Sequence, residues 1–489
     1  MKNLFNILAA SLVTCLVLSS CGKVETPNNG TPGQKKEPRV ISLAFASTRT
    51  TLGTDGYSPT FVVGDQIQVS DGTGTDVCSV KYEAAKGYYI ETALEGLLTA
   101  VYPASAAEIN GNNITGVLVP ATQDGTFAKA NICKAVQSNI ESKTLTFYNQ
   151  TAILRFYVDE SIGVTQLTIS GTGVSSSGNS ITVTPSPSSS SPKYGGPDDR
   201  ICYVAISATA SGTTYAPLTL TSVTTTQTAY ANSTVTREIS SVKLKQNEMY
   251  NAFIPYYIDL GDAGKWGYCN IGAFLPEEFG LYFAWGETTG HKPNSAYTGF
   301  ENDSFDDSYT PSEDAYDMTE KEGSYTHYVL KSTSVYDAAK ANWNDNWRMP
   351  TVEEYMTLLG LEVPTDYPDN YHAENGCGII TNANKSLIFP IAGFGDGTFL
   401  YDCYYNTPQR SSGMYWSSSL WLDEDGGGYP WIFLFDAAGG ELRNEIYEPY
   451  MGMPIRPIYV GGSSEPDEPD DDGLILEIDQ YTNGWGTSN

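Results

Sequence analysis

The first 265 residues contain no tryptophan; all eight lie from Trp266 onward. An indole suits dense cores and ring-stacking surfaces, so its absence from more than half the chain separates two textures. Basic residues are also scarce, 27 against 57 acidic, giving a formal charge of −30. That imbalance excludes nucleic acid as a partner and argues against an anionic membrane surface as a docking site. Histidine is limited to His291, His327 and His372, each in polar surroundings without a nucleophile motif. No Gly-x-Ser-x-Gly elbow, His-Glu-x-x-His pair or phosphate loop is present, and no Cys-x-x-Cys or Cys/His cluster suggests zinc. Catalysis is therefore not expected, and neither is a cofactor or a metal. Adjacent Glu353 and Glu354 would point in different directions on a helix, so they do not make a glycosidase pair. The acidic run Glu301–Asp317 offers oxygen ligands without the order of a calcium loop, and reads as solvated surface.

The N-terminus carries a strong signal. Lys2 precedes a mostly apolar stretch from Leu4 to Leu18, too short to span a bilayer comfortably, and Leu18-Ser19-Ser20-Cys21 then reads as a lipobox. Residues 1–21 are expected to be a lipoprotein signal, with Cys21 lipidated and anchored in the outer membrane. Residues 22–38, rich in Asn, Gly, Pro and Lys, read as a flexible tether. Six cysteines follow: Cys78, Cys133, Cys202, Cys269, Cys377 and Cys403. Their even count permits disulfides, with Cys377 and Cys403 the pair to test first, but the spacing shows no framework and buried thiols are the alternative.

From residue 39 to about 258, short runs of branched and aromatic residues alternate with turn residues, the pattern of β-sandwiches. Val40–Phe45, Phe61–Val69, Val117–Pro120, Ala152–Val158 and Gln166–Ile169 are the clearest strands. At this length two sandwiches are predicted, 39–150 and 151–258, with the serine- and proline-rich stretch Gly173–Pro197 as a long surface loop. From 259 to 459 the texture turns aromatic. Thr351 and Glu354 form a capping box ahead of a helix whose buried stripe is Val352, Tyr355, Met356 and Leu359. A second helix is predicted over Val335–Ala341 with Ser334 as its cap. Residues 460–489 comprise an acidic linker and a terminal alternating segment that reads as a strand.

Two resemblances follow from quoted residues. Thr48-Arg49-Thr50, Gly64-Asp65-Gln66-Ile67, Tyr102-Pro103-Ala104, Val119-Pro120-Ala121-Thr122-Gln123, Leu145–Asn149 leading into Ala152–Phe156, and Leu244–Tyr250 occur in an order that resembles the fimbrillin family of Bacteroidales surface lipoproteins. That resemblance implies two transthyretin-like sandwiches and fimbrillin subunits as partners; Arg49, just after the first strand, is either a site where an Arg-specific protease trims the chain or a turn residue of a lipoprotein never trimmed. Asn346-Trp347-Arg348-Met349-Pro350-Thr351, Tyr415-Trp416-Ser417-Ser418-Ser419 and Ile455-Arg456-Pro457 resemble the Fibrobacter major paralogous domain, related to C-type-lectin-like folds. It implies an α+β head over 259–459, most of whose motif residues are structural: Trp347 and Trp416 in the core, Arg348 and Arg456 paired with carboxylates or carbonyls. Trp343-Asn344-Asp345 matches a calcium-ligand triplet of C-type lectins without its partner motif, and reads as coincidence.

The expected fold is thus mainly β, two transthyretin-like sandwiches followed by an α+β C-type-lectin-like domain. The expected function is that of a lipid-anchored adhesin or fimbrial tip protein binding a glycan or extracellular protein. A stand-alone glycan-capture lipoprotein is the alternative, and a secreted enzyme the third. Tyr401, Tyr404, Tyr405, Trp421, Tyr429 and Trp431 lie among Gly, Asp and Asn, and ring faces of this kind stack on sugars. Tyr404, Trp421, Tyr429 and Trp431 are the candidate ligand-binding residues.

Overall fold

The computed structural model describes residues 38–45, 60–159, 162–185, 198–224, 234–301, 304–318, 328–364, 368–382, 385–406, 408, 411–422, 428–436, 439–443 and 447–461. Cys21, Arg49, His327 and the acidic tail lie outside them. Among the described residues strands dominate and three short α-helices occur, so the fold is mainly β. No helix there is long and apolar enough to cross a membrane.

The N-terminal part builds an eight-stranded sheet, in the order Thr75–Ser79, Gln66–Ser70, Thr99–Tyr102, Cys133–Val136, Thr144–Asn149, Arg39–Phe45, Gly87–Thr92, Lys81–Glu83. Arg39–Phe45 shows why these runs become strands. Ile41 and Leu43 point inward while Val40 before them faces out and Ser42 between them is half-buried, the two-residue period of a half-buried strand. In one core Ile41, Ile67, Val69, Ile90, Ala100, Leu145 and Phe147 pack together, with Phe45 stacked on Phe61 at 4.2 Å, while Val101, Ile114, Phe127 and Ile132 join the core of the middle part.

The middle part is made of two sheets. One joins Ile201–Ser207, Thr151–Tyr157 and Met249–Asn251; the other joins Thr234–Ile239, Leu218–Thr224, Val164–Ser175, Gly178–Val183 and Thr122–Gln123. All seven residues of Thr151–Tyr157 are buried, as expected for a strand covered on both faces. Gly178–Val183 corrects the loop predicted over Gly173–Pro197. Ile181 and Val183 alternate into the core, and a tight hairpin brings Gly178 opposite Ser175. Serine-rich composition had masked that alternation. Thr122–Gln123 comes from the preceding part of the chain, yet it pairs in parallel with Gly178–Val183, and Gln123 bonds both backbone groups of Ala205.

The C-terminal part places a five-stranded sheet at its centre: Tyr316–Met318, Tyr328–Leu330, Gly413–Leu422, Gly428–Phe435 and Gly440–Arg443. The helix Val352–Leu359 lies against one face and buries Val352, Tyr355, Met356, Leu358 and Leu359. It begins with the capping box read from sequence: Thr351 Oγ1 accepts from Glu354 N, and Glu354 Oε2 accepts from Thr351 N at 2.9 Å. Glu354 also takes both terminal nitrogens of Arg348, at 2.7 and 2.5 Å. The other helix is Ala338–Trp343, capped by Asp337 rather than Ser334. The carboxylate of Asp337 accepts from Ala339 N and Lys340 N and also from Met349 N, so it fixes the helix start and the distant Arg348-Met349 segment together. Val335, predicted inside the helix, is 65% exposed ahead of it.

The middle and C-terminal parts share one continuous core, which runs from Ile153, Tyr157 and Tyr256 through Tyr268 and Phe274 to Trp343, Trp416 and Met453. Across this seam Tyr157 stacks on Tyr268 at 5.0 Å with planes 5° apart, and Phe253 packs on Trp343 at 5.2 Å. Arg155 lies over the ring of Phe274.

Candidate functional site

The tryptophans are mostly not available to a ligand. Trp266, Trp285, Trp347 and Trp416 are fully buried, and Trp343 nearly so. The indole nitrogens of Trp285 and Trp416 donate to Ser417 O and Phe283 O, both at 2.8 Å. Ser417 to Ser419 are buried where the pairing of Gly413–Leu422 with Gly428–Phe435 slips register between Trp416 and Leu420. Their hydroxyls satisfy the irregular backbone: Ser417 donates to Trp431 O, Ser418 to Pro350 O, and Ser419 accepts from Val352 N. Arg456 is completely buried and gives all its hydrogen bonds to neutral acceptors, namely Asn270 Oδ1 and the carbonyls of Gly267, Tyr268 and Ile388. Burial lowers its pKa. These motif residues are structural.

The four ring residues predicted to bind ligand do not converge. Trp431 is 7% exposed and belongs to the core under the Val352–Leu359 helix, with Phe433 and Phe435. Strand alternation accounts for this, because positions 431, 433 and 435 all face that helix. Its assignment as a binding residue is therefore corrected. Trp421 and Tyr429 stand directly opposite each other at the far end of the same two strands, both half-buried. Tyr404 packs at the other end, over Gly376, where an added Cβ would lie 2.6 Å from its ring. Nine residue steps along the chain, roughly 30 Å if extended, separate Trp421 from Ser412, whose backbone bonds the Asp402 carbonyl next to this second location.

Around Tyr404 a different set of rings gathers. Tyr405, 59% exposed, stacks on Tyr297 with centroids 4.7 Å apart and planes 28° apart. Phe279, buried, touches both: its centroid is 5.1 Å from Tyr297 and 5.3 Å from Tyr405. Tyr404 meets Tyr405 edge-on at 5.8 Å. Phe279 is thus a floor, Tyr297 and Tyr405 a paired upper layer, and Tyr404 a flank. Beyond the buried Leu400, the exposed Phe399 and Tyr401 continue the aromatic surface, with Tyr401 stacked on Phe394 at 5.5 Å.

The backbone is held in an uncommon shape to present these rings. Tyr297 has φ +53°, a left-handed conformation that is rare for an aromatic residue. A loop built on Asn294 enforces it: Asn294 Oδ1 accepts from Ala296 N and Thr298 N, Asn294 O accepts from Tyr297 N, and Asn294 N donates to Gly299 O. Gly299 is required there, since a Cβ would fall 2.1 Å from Thr398 O. Leu400 N donates to Thr298 O and Cys403 Sγ to Tyr297 O, so the two loops carrying the paired rings are tied together. Strain of this sort concentrates where a side chain must be aimed.

Polar groups rim the rings. Thr298 and Asn406 are exposed, and Asn294 is half-buried. Burial, then Cys377 and the carboxylates of Glu277 and Glu278, push the Tyr405 phenol up from its ordinary value; burial and Tyr405 do the same to Tyr297. Both phenols therefore stay neutral donors through the physiological range. This arrangement can take the apolar face of a ring on its flat side and hydroxyls at its edge.

Tyr404 was legible in the sequence as part of an aromatic, Asn-rich stretch, as was Tyr405. Tyr297 and Phe279 were missed, since they lie over a hundred residues earlier and nothing local marks them. The six later cysteines are all buried free thiols, so Cys377 and Cys403 are not joined. Among the described residues no group of three His, Cys, Asp or Glu side chains could hold a metal ion. In the acidic stretch, Asp306 accepts from Ser308 N, Ser312 caps the short turn Glu313–Ala315, and Asp317 pairs with Lys331.

No family model matches the chain, and no curated protein matches it. Among solved structures it is similar to one from Bacteroides ovatus ATCC 8483, provisionally described as a cell adhesion protein. The likeness covers 45% of this chain and 91% of that one at 12% identity, with a TM-score of 0.26, too low to establish a common fold.

Proposed function

We propose that this chain is a cell-surface adhesin that grips a glycan on the tyrosine platform of Tyr297, Tyr404 and Tyr405. In this reading Cys21 carries the lipid that anchors it to the outer membrane, and fimbrillin-type subunits are its assembly partners. Its task is binding rather than chemistry. The observation that carries the reading is the Tyr297–Tyr405 pair: a stacked ring pair, Tyr405 exposed and Tyr297 half-buried, set on a left-handed tyrosine backbone that a dedicated loop sustains. Sugars stack on such surfaces, and neutral phenols and amides at the rim match hydroxyl groups.

The test is a glycan and matrix-protein array probed with the full chain and with Tyr405→Ala. Tyr405 is exposed, so its removal leaves the fold intact. Base–ring stacking of comparable type is worth ~1–3 kcal/mol, so affinity for the bound glycan is expected to fall by about ten-fold or more. Unchanged binding by Tyr405→Ala, with loss in Trp421→Ala or Tyr429→Ala, would move the site to the opposite end of the sheet.

A further inference from the structure

The platform does not rest on the C-terminal part alone. Three consecutive residues, Glu277, Glu278 and Phe279, connect it to the middle sandwich. Glu277 is gripped by Arg200, with Nη2 to Oε1 at 2.5 Å and Nη1 to Oε2 at 3.3 Å. Arg200 immediately precedes the Ile201–Ser207 strand. Its guanidinium is set in turn by Asp198, through Nε at 3.0 Å and Nη2 at 2.7 Å, and lies over the ring of Tyr157. Tyr157 is the ring that stacks on Tyr268 across the seam. Glu278 turns back and accepts from Phe274 N and Leu275 N, fixing the bend before the floor residue. Phe279 then lies beneath Tyr297 and Tyr405, its carbonyl accepting from Asn270 Nδ2 at 2.9 Å. Asn270 is itself held by Arg456. Gly280 closes the segment at φ +75°, where a Cβ would meet Ile271 O at 2.4 Å, so the chain has one route out.

The floor ring is therefore clamped from two sides: by Asn270 and Arg456 from within the C-terminal part, and by Glu277 and Arg200 from the middle sandwich. A planar guanidinium meeting a carboxylate through two nitrogens fixes orientation as well as distance. We infer that Arg200 is a positioning residue for the tyrosine platform, setting through Glu277 the place of Phe279 and hence the stacking of Tyr297 and Tyr405. A tilt of the C-terminal part against the middle sandwich would pull first on this pair and loosen the rings above it. Ligand affinity then depends on how the seam is loaded, which is the coupling a surface protein under tension would use. That last step rests on the platform being the glycan site.

The experiment uses the full chain as wild type, Arg200→Ala and Arg200→Lys. Amide exchange over 277–281 and hydroxyl-radical labelling of Tyr405 are read without ligand, and affinity is read on β-linked gluco-oligosaccharides plus any array hit. Arg200→Ala is expected to speed exchange over 277–281 at least ten-fold and raise Tyr405 labelling. Exchange in Thr151–Tyr157 and Gly428–Phe435 stays unchanged, and Arg200→Lys restores part of the protection. A merely structural arginine would instead loosen the whole seam evenly. Unchanged exchange over 277–281, or an even rise across the seam, overturns the positioning role whatever the sugars do. Faster local exchange with no sugar bound by any form upholds the positioning role and counts against the glycan reading alone. Where the wild type binds a sugar, Arg200→Ala is expected to weaken it three- to ten-fold, and to add little on top of Tyr405→Ala.

Discussion

The N-terminal sandwich and the two parts that follow it solve burial differently. The former closes one core around Ile67, Ile90, Leu145 and Phe147 and sends Val101, Ile114, Phe127 and Ile132 into the core of its neighbour. The middle sandwich and the C-terminal part instead hold one apolar core in common, crossed by the Tyr157–Tyr268 and Phe253–Trp343 contacts. Composition draws its boundary near residue 259, where tryptophans begin, yet packing erases that boundary. A chain can change texture at a point where its core does not. The proposed binding face thus sits on a core built by the middle and C-terminal parts together, into which one side of the N-terminal part also packs.

Substitutions can break this contrast. Arg456→Met leaves Asn270 Oδ1 and three carbonyls without their donor in a dry interior, at 1–3 kcal/mol for each unsatisfied group. A loss on the order of 5 kcal/mol is expected, and calorimetry should show the middle and C-terminal parts melting earlier together, with the N-terminal transition less affected. Phe147→Ala hollows the N-terminal core, with about 4 kcal/mol expected, and should lower the N-terminal transition more than the other.

The third effect is a pH dependence confined to the shared body. Burial raises Asp337 from 3.8 to about 6, against the opposing pull of the backbone N–H groups of Met349, Lys340 and Ala339. Its folded pKa exceeds its unfolded one, so its contribution is fully present below about 3.8 and is lost as pH rises through about 6. The shift corresponds to roughly 3 kcal/mol. In Asp337→Asn that slope between pH 4 and 6 should vanish from the second transition in urea titrations at stepped pH, whatever the mean stability of the variant. The smallest effect is Thr351→Ala, which removes half of a capping box and should cost ~1 kcal/mol, again in the second transition alone.

Reading from sequence worked where the physics is local. Thr351 and Glu354 are three apart, and a three-residue spacing suffices to specify their mutual bonds. The strand character of Val40–Phe45 and of Ala152–Val158 was likewise visible. It failed where a residue answers to distant partners. Asp337 outcompetes Ser334 as cap because it also serves Met349, twelve residues on. Trp431 stands as a candidate ligand-binding ring because it lies near Gly, Asp and Asn, whereas the strand period turns it toward the helix. Tyr297 gains its meaning only from Tyr405, and no local pattern reports a left-handed tyrosine or a stack formed across that separation.

On the proposed function, ligand contact falls on the Tyr297–Tyr405 stack. Hydroxyl-radical footprinting of the full chain, with and without the tightest array hit, addresses it directly. Protection of Tyr405 and Tyr297, with Trp421 and Tyr429 unchanged, is the expected result; protection of Trp421 and Tyr429 with Tyr405 still fully labelled would contradict it.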